Sequence, residues 1–221
     1  MAHPELLKYQ HTFASVAEDL SYWHKNRKKY AVWAIDISND VLEERILKAK
    51  KHLSPYLVQD YFRKTHFTVA PSGFMCKEKQ YEDDYSEELF WADVEQLKSR
   101  EKKSLHLNIE GFLTSFAIAA FFPVRDEERV FLSLNQMLLR PEISTAVFTP
   151  HVTVGLYSEA WPTQEIFARL NTFEVYPLLE EEITEIKLLS YDPNNISGPL
   201  LEEASFNLIT HELSIYSNLF E

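Results

Sequence analysis

The chain has 221 residues, of which 45% are hydrophobic and 14% aromatic, which is enough for a folded core and argues against extended disorder. Its net charge is −12, from 22 basic and 34 acidic residues. This balance disfavours long nucleic acids as main ligands, because their sequence-independent binding depends on Lys and Arg neutralising phosphates. A lone Cys76 excludes an internal disulfide and a thiolate metal cluster.

The sequence predicts neither a signal peptide nor a membrane span. The first ten residues, MAHPELLKYQ, lack the apolar core of a signal peptide, and the longest apolar run, residues 116–122, is far shorter than a membrane span. We therefore expect a cytoplasmic protein with no membrane partner.

Residues 1–29 are predicted to form an N-terminal helical extension. Thr12 is the candidate N-cap of a helix over residues 13–28, because apolar residues then recur at helical spacing. The members of this apolar stripe are Phe13, Val16, Leu20 and Trp23. The basic run that follows, residues 25–29, is either an exposed charge cluster or a phosphate attractor, and the first interpretation is the more common one.

A buried strand and an amphipathic helix are predicted next. Residues 30–37 (YAVWAIDI) are rich in aromatic and branched side chains, as is typical of a buried strand. Asp40 and Glu43 form a capping-box pattern at the start of the helix. Its apolar face consists of Leu42, Ile46, Ala49, Leu53 and Leu57.

The first motif is His66-Phe67-Thr68-Val69. In a strand, successive side chains alternate between faces, so the His and the Thr share one face and the apolar pair the other. Pro71 and Gly73 are expected to end this strand at a turn, which places Phe74 near the mouth of any cleft. Arg63, just before the motif, either supplies positive charge to a phosphate or flanks the strand on the surface.

The stretch of residues 77–88 is acidic and has no apolar periodicity, so we expect an exposed loop. The alternative is a metal site built from Glu82, Asp83 and Asp84, but the spacing of calcium loops is missing. A helix over about residues 87–102 follows.

Residues 105–110 alternate strictly between apolar and polar side chains, which predicts a strand with His106 on the face away from the core. That face lines either a ligand cleft or water. Residues 115–122 are apolar on both faces and predict a central strand. A helix is expected to begin at Arg125 or Asp126 and to end at Pro141.

The second motif is His151-Val152-Thr153-Val154, in a strand predicted over residues 146–157. A short helix after Pro162 and two extended stretches, residues 183–191 and 208–217, complete the pattern. Residues 192–198 (DPNNISG) are the clearest loop.

The two motifs carry groups suited to chemistry at phosphorus without a metal. Two imidazoles that titrate near neutrality can act as general base and general acid, while two hydroxyls hydrogen-bond an anionic centre. The alternative is that both histidines are satisfied residues on half-buried strands. The pattern leaves open which histidine is the base.

The sequence contains the pattern His-x-Thr-apolar twice, and the second copy lies within TPHVTVGLY. In this it resembles the 2H phosphoesterase superfamily, which includes 2′-5′ RNA ligase-like proteins and cyclic nucleotide phosphodiesterases. The resemblance implies an α+β, two-lobed fold over residues 30–221, with mainly antiparallel sheets facing a central cleft and helices on the outside. It also implies catalysis by His66 and His151 and phosphate binding by Thr68 and Thr153.

The implied substrate is a 2′,3′-cyclic phosphate, a 2′-5′ phosphodiester or a related cyclic nucleotide, carried by a small nucleotide or short oligonucleotide. No cofactor and no metal are implied, and we expect a monomer. Further cleft candidates are Tyr157 and Phe74 for base stacking, together with His106 and Arg63. The alternatives are a non-catalytic nucleotide- or RNA-binding protein of the same fold, an RNA 2′-5′ ligase, and a metal hydrolase that uses the histidines as ligands.

Overall fold

A computed structural model describes residues 9–14, 20–115 and 119–220. The helices in these ranges are α1 (Ser21–His24), α2 (Asp40–His52), α3 (Glu87–Lys98), α4 (Val130–Leu138) and α5 (Thr163–Leu170). The strands are β1 (Tyr30–Asp36), β2 (His66–Met75), β3 (Asp84–Tyr85), β4 (Leu105–Ile109), β5 (Leu113–Ser115), β6 (Ala119–Arg125), β7 (His151–Leu156), β8 (Leu179–Ile183), β9 (Glu185–Tyr191), β10 (Leu201–Asn207) and β11 (Leu213–Ile215).

The fold is α+β and is dominated by an antiparallel sheet, as predicted. Its strand order is β11-β10-β9-β1-β2-β7-β6-β4-β8. The two motif strands, β2 and β7, are central neighbours and meet at the pair Phe67–Val152. The first lobe extends from β2 through β1 and β9, and the second lobe extends from β7 through β6 and β4. The short strand β3 is parallel to β2, and β5 pairs with β6.

The main core lies on one face of this sheet. Phe67 and Val69 of β2 and Val152 and Val154 of β7 are fully buried there. The apolar faces of the helices pack into the same cluster through residues that include Leu42, Ile46, Phe90, Val94, Phe131, Leu134 and Ile166. Because side chains alternate along a strand, the polar residues of both motifs lie on the opposite face.

A smaller apolar cluster lies on that opposite face, away from the motif histidines. Its buried members are Tyr30, Val32, Ala34, Phe74, Leu189 and Leu200, with Trp23 and Tyr191 packed against them. The polar face of the first lobe is therefore partly covered, and the motif residues lie beside the covered part.

The strand that carries the first motif is longer than predicted. It continues through Pro71 and Gly73 to Met75, so the expected turn was wrong. Gly73 has φ +119°, and a Cβ atom there would clash with the carbonyl oxygen of Asp83. Glycine therefore permits β3 to approach β2 closely inside the strand, and it does not end the strand.

Two predictions for the second lobe were wrong in their bounds, although the predicted central strand exists as β6, between β7 and β4. Instead of one strand over residues 115–122, β5 and β6 form an antiparallel pair in which Leu113 lies opposite Phe121; residues 116–118 lie outside the described residues. Helix α4 begins at Val130, because both carboxylate oxygens of Asp126 accept hydrogen bonds from the backbone N–H groups of Phe131 and Leu132. Asp126 thus caps the helix from a distance and does not start it.

The basic run and the acidic stretch pair with each other. Arg27 lies 2.6 Å from both Asp83 and Asp84, and its guanidinium carbon lies 3.6 Å from the centroid of the Phe74 ring. Asp84 is buried in β3, so the exposed loop predicted over residues 77–88 was wrong at that point, although residues 77–82 are exposed. In the described residues, no group of three or more His, Cys, Asp or Glu side chains is arranged to hold a metal ion.

The N-terminal prediction was wrong in its cap. Thr12 donates a hydrogen bond to the carbonyl oxygen of Glu159 and accepts one from the N–H of Trp161, so it belongs to a bridge with a distant segment. Phe13 is exposed, and Val16 lies outside the described residues. None of the helices within the described ranges is long and apolar enough to cross a membrane.

Candidate functional site

The four polar motif residues come together on one face of the sheet. The pair Phe67–Val152 fixes their arrangement, because in an antiparallel pair the residue before one partner lies across from the residue after the other. His66 is therefore opposite Thr153, and Thr68 is opposite His151. Each histidine is next to the threonine of the other motif.

Both imidazoles are anchored in the same way. Nδ1 of His66 lies 2.8 Å from the carbonyl oxygen of Lys64, and Nδ1 of His151 lies 2.6 Å from that of Thr149. A carbonyl oxygen only accepts hydrogen bonds, so Nδ1 must carry the hydrogen in each ring. In the neutral form, Nε2 then has the free lone pair that a general base requires.

The site favours neutral imidazoles in the free protein. Burial lowers the pKa of His66 to about 4; the hydrogen bond to Lys64 opposes this, Arg63 and His151 lower the pKa further, and Asp36 raises it. Burial also lowers the pKa of His151, again opposed by its backbone hydrogen bond. A bound anion would favour protonation of either ring.

The two threonine side chains are half-buried. Within the described part of the chain, neither the Thr68 nor the Thr153 hydroxyl has a hydrogen-bond partner. Each hydroxyl can therefore donate to an anionic oxygen placed between the two strands.

The strands that flank the motifs differ in chemistry. On β1, Asp36 is the cross-strand partner of His66. On β6, Pro123 is the partner of His151, and the Phe121 ring centroid lies 4.9 Å from that of His151. One histidine thus has a carboxylate beside it, whereas the other has an apolar neighbour.

Asp36 belongs to a charge network that continues across the first lobe. Lys187 of β9 lies 3.4 Å from Asp36 and 2.9 Å from Glu202 of β10. Burial lowers the pKa of Lys187, but the two carboxylates more than offset this and raise it overall. Lys187 therefore remains charged at neutral pH and is largely neutralised by its partners.

Arg63 lies on the same side as the motif histidines. Its guanidinium carbon lies 4.1 Å from the Tyr191 ring centroid, and its charge lowers the pKa of His66. Its Nε atom is buried and has no hydrogen-bond partner in the described residues. Arg63 therefore contributes positive charge near His66, and its role in a cleft stays a prediction.

The chain is similar to E. coli LigT. The apo LigT structure is 17% identical, with 87% of this chain and 96% of LigT covered and a TM-score of 0.48. LigT with 3′-AMP is 18% identical over 74% of this chain and 88% of LigT, with a TM-score of 0.48.

A crystal structure of a phosphoesterase is also 18% identical, covering 73% of this chain and 88% of that protein, with a TM-score of 0.44. Other LigT structures are complexes with ATP, NADP+ or phosphate. No protein-family model and no curated protein sequence matches the chain.

Two predicted stacking residues are not accessible. Phe74 and Tyr157 are both 0% exposed. The Tyr157 hydroxyl donates a 2.7 Å hydrogen bond to Thr114, and the Phe74 ring packs against Trp23 and Tyr30. The expectation that these rings stack on a base was therefore wrong, because both are interior packing residues.

His106 lies farther from the motifs. It is exposed on β4, two strands from β7, and lines a cavity of about 640 Å³ with Asn108 and Arg125. Asn108 pairs with Arg125 on the face that also carries His151, so this cavity lies along the same face of the second lobe.

Sequence reasoning did not identify Asp36, Lys187 or Tyr191 as neighbours of the site. Asp36 did carry a usable signal, because it is the one charged residue in the otherwise apolar run YAVWAIDI. A buried or half-buried charge needs a partner, which makes such a residue a functional candidate. Lys187 and Tyr191 depend on strand pairing that the sequence does not reveal.

Proposed function

We propose that this chain is a metal-independent phosphoesterase that cleaves a 2′,3′-cyclic phosphate, a 2′-5′ phosphodiester or a related cyclic nucleotide by two-histidine general acid–base catalysis. The observation that carries the proposal is the matched anchoring of His66 and His151. Each Nδ1 is held by a backbone carbonyl two residues earlier, which leaves each Nε2 for proton transfer.

In the proposed reaction, Nε2 of the neutral histidine takes a proton from an attacking water or hydroxyl. At the same time, the oxygen of that water or hydroxyl bonds to phosphorus. The bond from phosphorus to the leaving oxygen breaks, and the protonated histidine donates its Nε2 proton to that oxygen. Thr68 and Thr153 hydrogen-bond the non-bridging oxygens, where negative charge concentrates in the transition state.

The charges near the motifs favour a short substrate. Arg63 supplies positive charge beside His66, whereas Lys187 is already paired with two carboxylates. With a net charge of −12 over the whole chain, binding should depend on one or two phosphate contacts and respond weakly to salt. We expect a small nucleotide or short oligonucleotide to be the ligand.

Two other functions use the same site. A non-catalytic nucleotide- or RNA-binding protein would keep the cleft without turnover. An RNA 2′-5′ ligase would use the same acid and base in the reverse direction, but ligation of long RNA fits the acidic surface less well.

The decisive experiment is incubation with a panel of 2′,3′-cyclic nucleotides and 2′-5′ dinucleotides in EDTA. We expect product from the wild type and a 10²- to 10⁴-fold lower kcat, roughly, from His66→Ala and from His151→Ala. The double variant should lose less than the combined single losses, because both residues act in one step. His52→Ala, which changes a histidine at the end of α2, is the matched control and should retain full turnover.

The other outcomes assign the alternatives. Binding of a panel member without product would identify a non-catalytic binding protein. Activity that EDTA abolishes would indicate a metal hydrolase. Joining of RNA ends without hydrolysis of any panel member would indicate a ligase. Full turnover by both correctly folded histidine variants would refute the two-histidine mechanism.

A further inference from the structure

The two motifs are nearly equivalent in their own residues but not in their surroundings. His66 lies opposite Asp36 on the outer neighbouring strand, and His151 lies opposite Pro123 on its outer neighbour. Directly opposed side chains on one face of an antiparallel pair have Cβ atoms roughly 5 Å apart. The carboxylate of Asp36 is therefore within electrostatic reach of the His66 imidazole, and His151 has no equivalent on β6.

Asp36 does not move freely in this position. Lys187 lies 3.4 Å from its carboxylate, and Lys187 is in turn held by Glu202 at 2.9 Å. The side chains of Asp36 and Lys187 are only 18% and 19% exposed, so water screens their charges weakly. A fixed and poorly screened charge beside a catalytic group changes the energy of that group in a defined direction.

We propose that Asp36, held by Lys187, is a positioning residue that stabilises the protonated form of His66. This inference rests on the proposed function. In either catalytic role, His66 is an imidazolium at one stage of the reaction: before proton transfer as the acid, or after it as the base. Asp36 lowers the energy of that stage, and Lys187 sets how much of the carboxylate charge His66 experiences.

The charged and titratable groups near His66 act in opposite directions. Arg63, from the segment before β2, and His151, on β7, disfavour its protonated form, whereas Asp36, on β1, favours it. Lys187, on β9, acts through Asp36, and Glu202, on β10, acts through Lys187. Removing Asp36 or Lys187 must therefore shift the protonation of His66 in opposite directions.

The test compares Asp36→Asn with Lys187→Gln by NMR titration of the His66 imidazole, assigned through His66→Gln. We expect the titration midpoint of His66 to fall in Asp36→Asn and to rise in Lys187→Gln, each by roughly half to one pH unit. Glu44→Gln is the control, because Glu44 is an exposed carboxylate paired with Lys48 on α2, and it should leave the midpoint unchanged.

Kinetics with the substrate found in the panel give a second readout. One limb of the pH profile should shift to lower pH in Asp36→Asn and to higher pH in Lys187→Gln, while the other limb stays in place. The limb that shifts identifies whether His66 is the acid or the base. We expect kcat to fall about three- to tenfold in Asp36→Asn without a rise in KM, because a carboxylate does not help to bind an anionic phosphate.

A merely structural ion pair would give a different result. An unchanged His66 midpoint in both variants, or shifts in the same direction, would overturn the inference. The NMR titration needs no substrate, so it tests the coupling of Asp36 to His66 even if the panel refutes the phosphoesterase function. Turnover with unshifted midpoints would instead keep the function and reject the role of Asp36.

Discussion

Because His66 is buried, the unfolding free energy of the protein should depend on pH, and this can be measured without a substrate. The pKa of His66 is about 4 in the folded protein and 6.5 is the ordinary value, so the unfolded chain binds more protons between these pH values. The stabilising contribution is complete above pH 6.5 and is lost as the pH falls towards 4. By linkage, about 2 kcal/mol of unfolding free energy is lost between pH 7 and pH 5 through this one residue.

Urea unfolding of the wild type and of His66→Gln at these two pH values measures this contribution. Glutamine does not titrate, so the loss of stability on acidification should be smaller in the variant by about 2 kcal/mol. His106→Gln is the matched control, because it makes the same substitution at an exposed position of β4, and its variant should follow the wild type. Parallel losses in the wild type and His66→Gln would refute the buried, neutral state of His66.

Three further results are expected. The pH profile of kcat/KM should be bell-shaped with its maximum below pH 6.5, because burial lowers the pKa of both His66 and His151. A maximum above pH 8 in steady-state kinetics would contradict this. Tyr157→Phe should lower the unfolding free energy by about 1 kcal/mol through loss of the hydrogen bond to Thr114, with kcat unchanged; a drop in kcat at unchanged stability would restore a role in the site. Arg27→Met should lower the unfolding free energy in urea by about 3 kcal/mol or more, because Asp83 and Asp84 lose their cation. Adding Asp83→Asn and Asp84→Asn should recover part of that loss. An unchanged unfolding free energy in Arg27→Met would show that these ion pairs contribute little.

Local patterns predicted the elements whose signal lies within a few consecutive residues. The buried strand β1 and the apolar face of α2 follow from side-chain periodicity, although the actual cap of α2 is Asn39, whose side chain accepts a hydrogen bond from the N–H of Leu42. The strict alternation of β4 also predicted its buried and exposed residues correctly. In these cases the local pattern and the tertiary packing require the same residues.

Contacts between distant segments explain the failures. Pro71 and Gly73 normally end a strand, but β2 continues through them because β1 pairs with both residues and β3 pairs with Phe74 and Met75 just beyond them. Strand β10 was not predicted, because a run that begins Leu201-Glu202-Glu203 has little strand character. Glu203 is buried there because Lys29 and Ser190 satisfy its carboxylate.

The residues of the candidate site also differ in whether local sequence could predict them. The motif positions of His66 and His151 were readable from the sequence, because the residue types and the alternation are local. The aromatic candidates Phe74 and Tyr157 were wrong, because the sequence does not indicate which face of a strand end is covered. Asp36 became a neighbour of the site only through the pairing of β1 with β2.

The outer strand of the second lobe affects the tendency of the protein to aggregate at high concentration. Strand β8 ends the sheet beside β4, and its sequence is LEEEI. An edge strand offers free backbone groups to any other extended chain, which makes it a template for aggregation. Here three consecutive glutamates place negative charge on both faces of that edge, so a second copy approaching edge to edge is repelled before hydrogen bonds form.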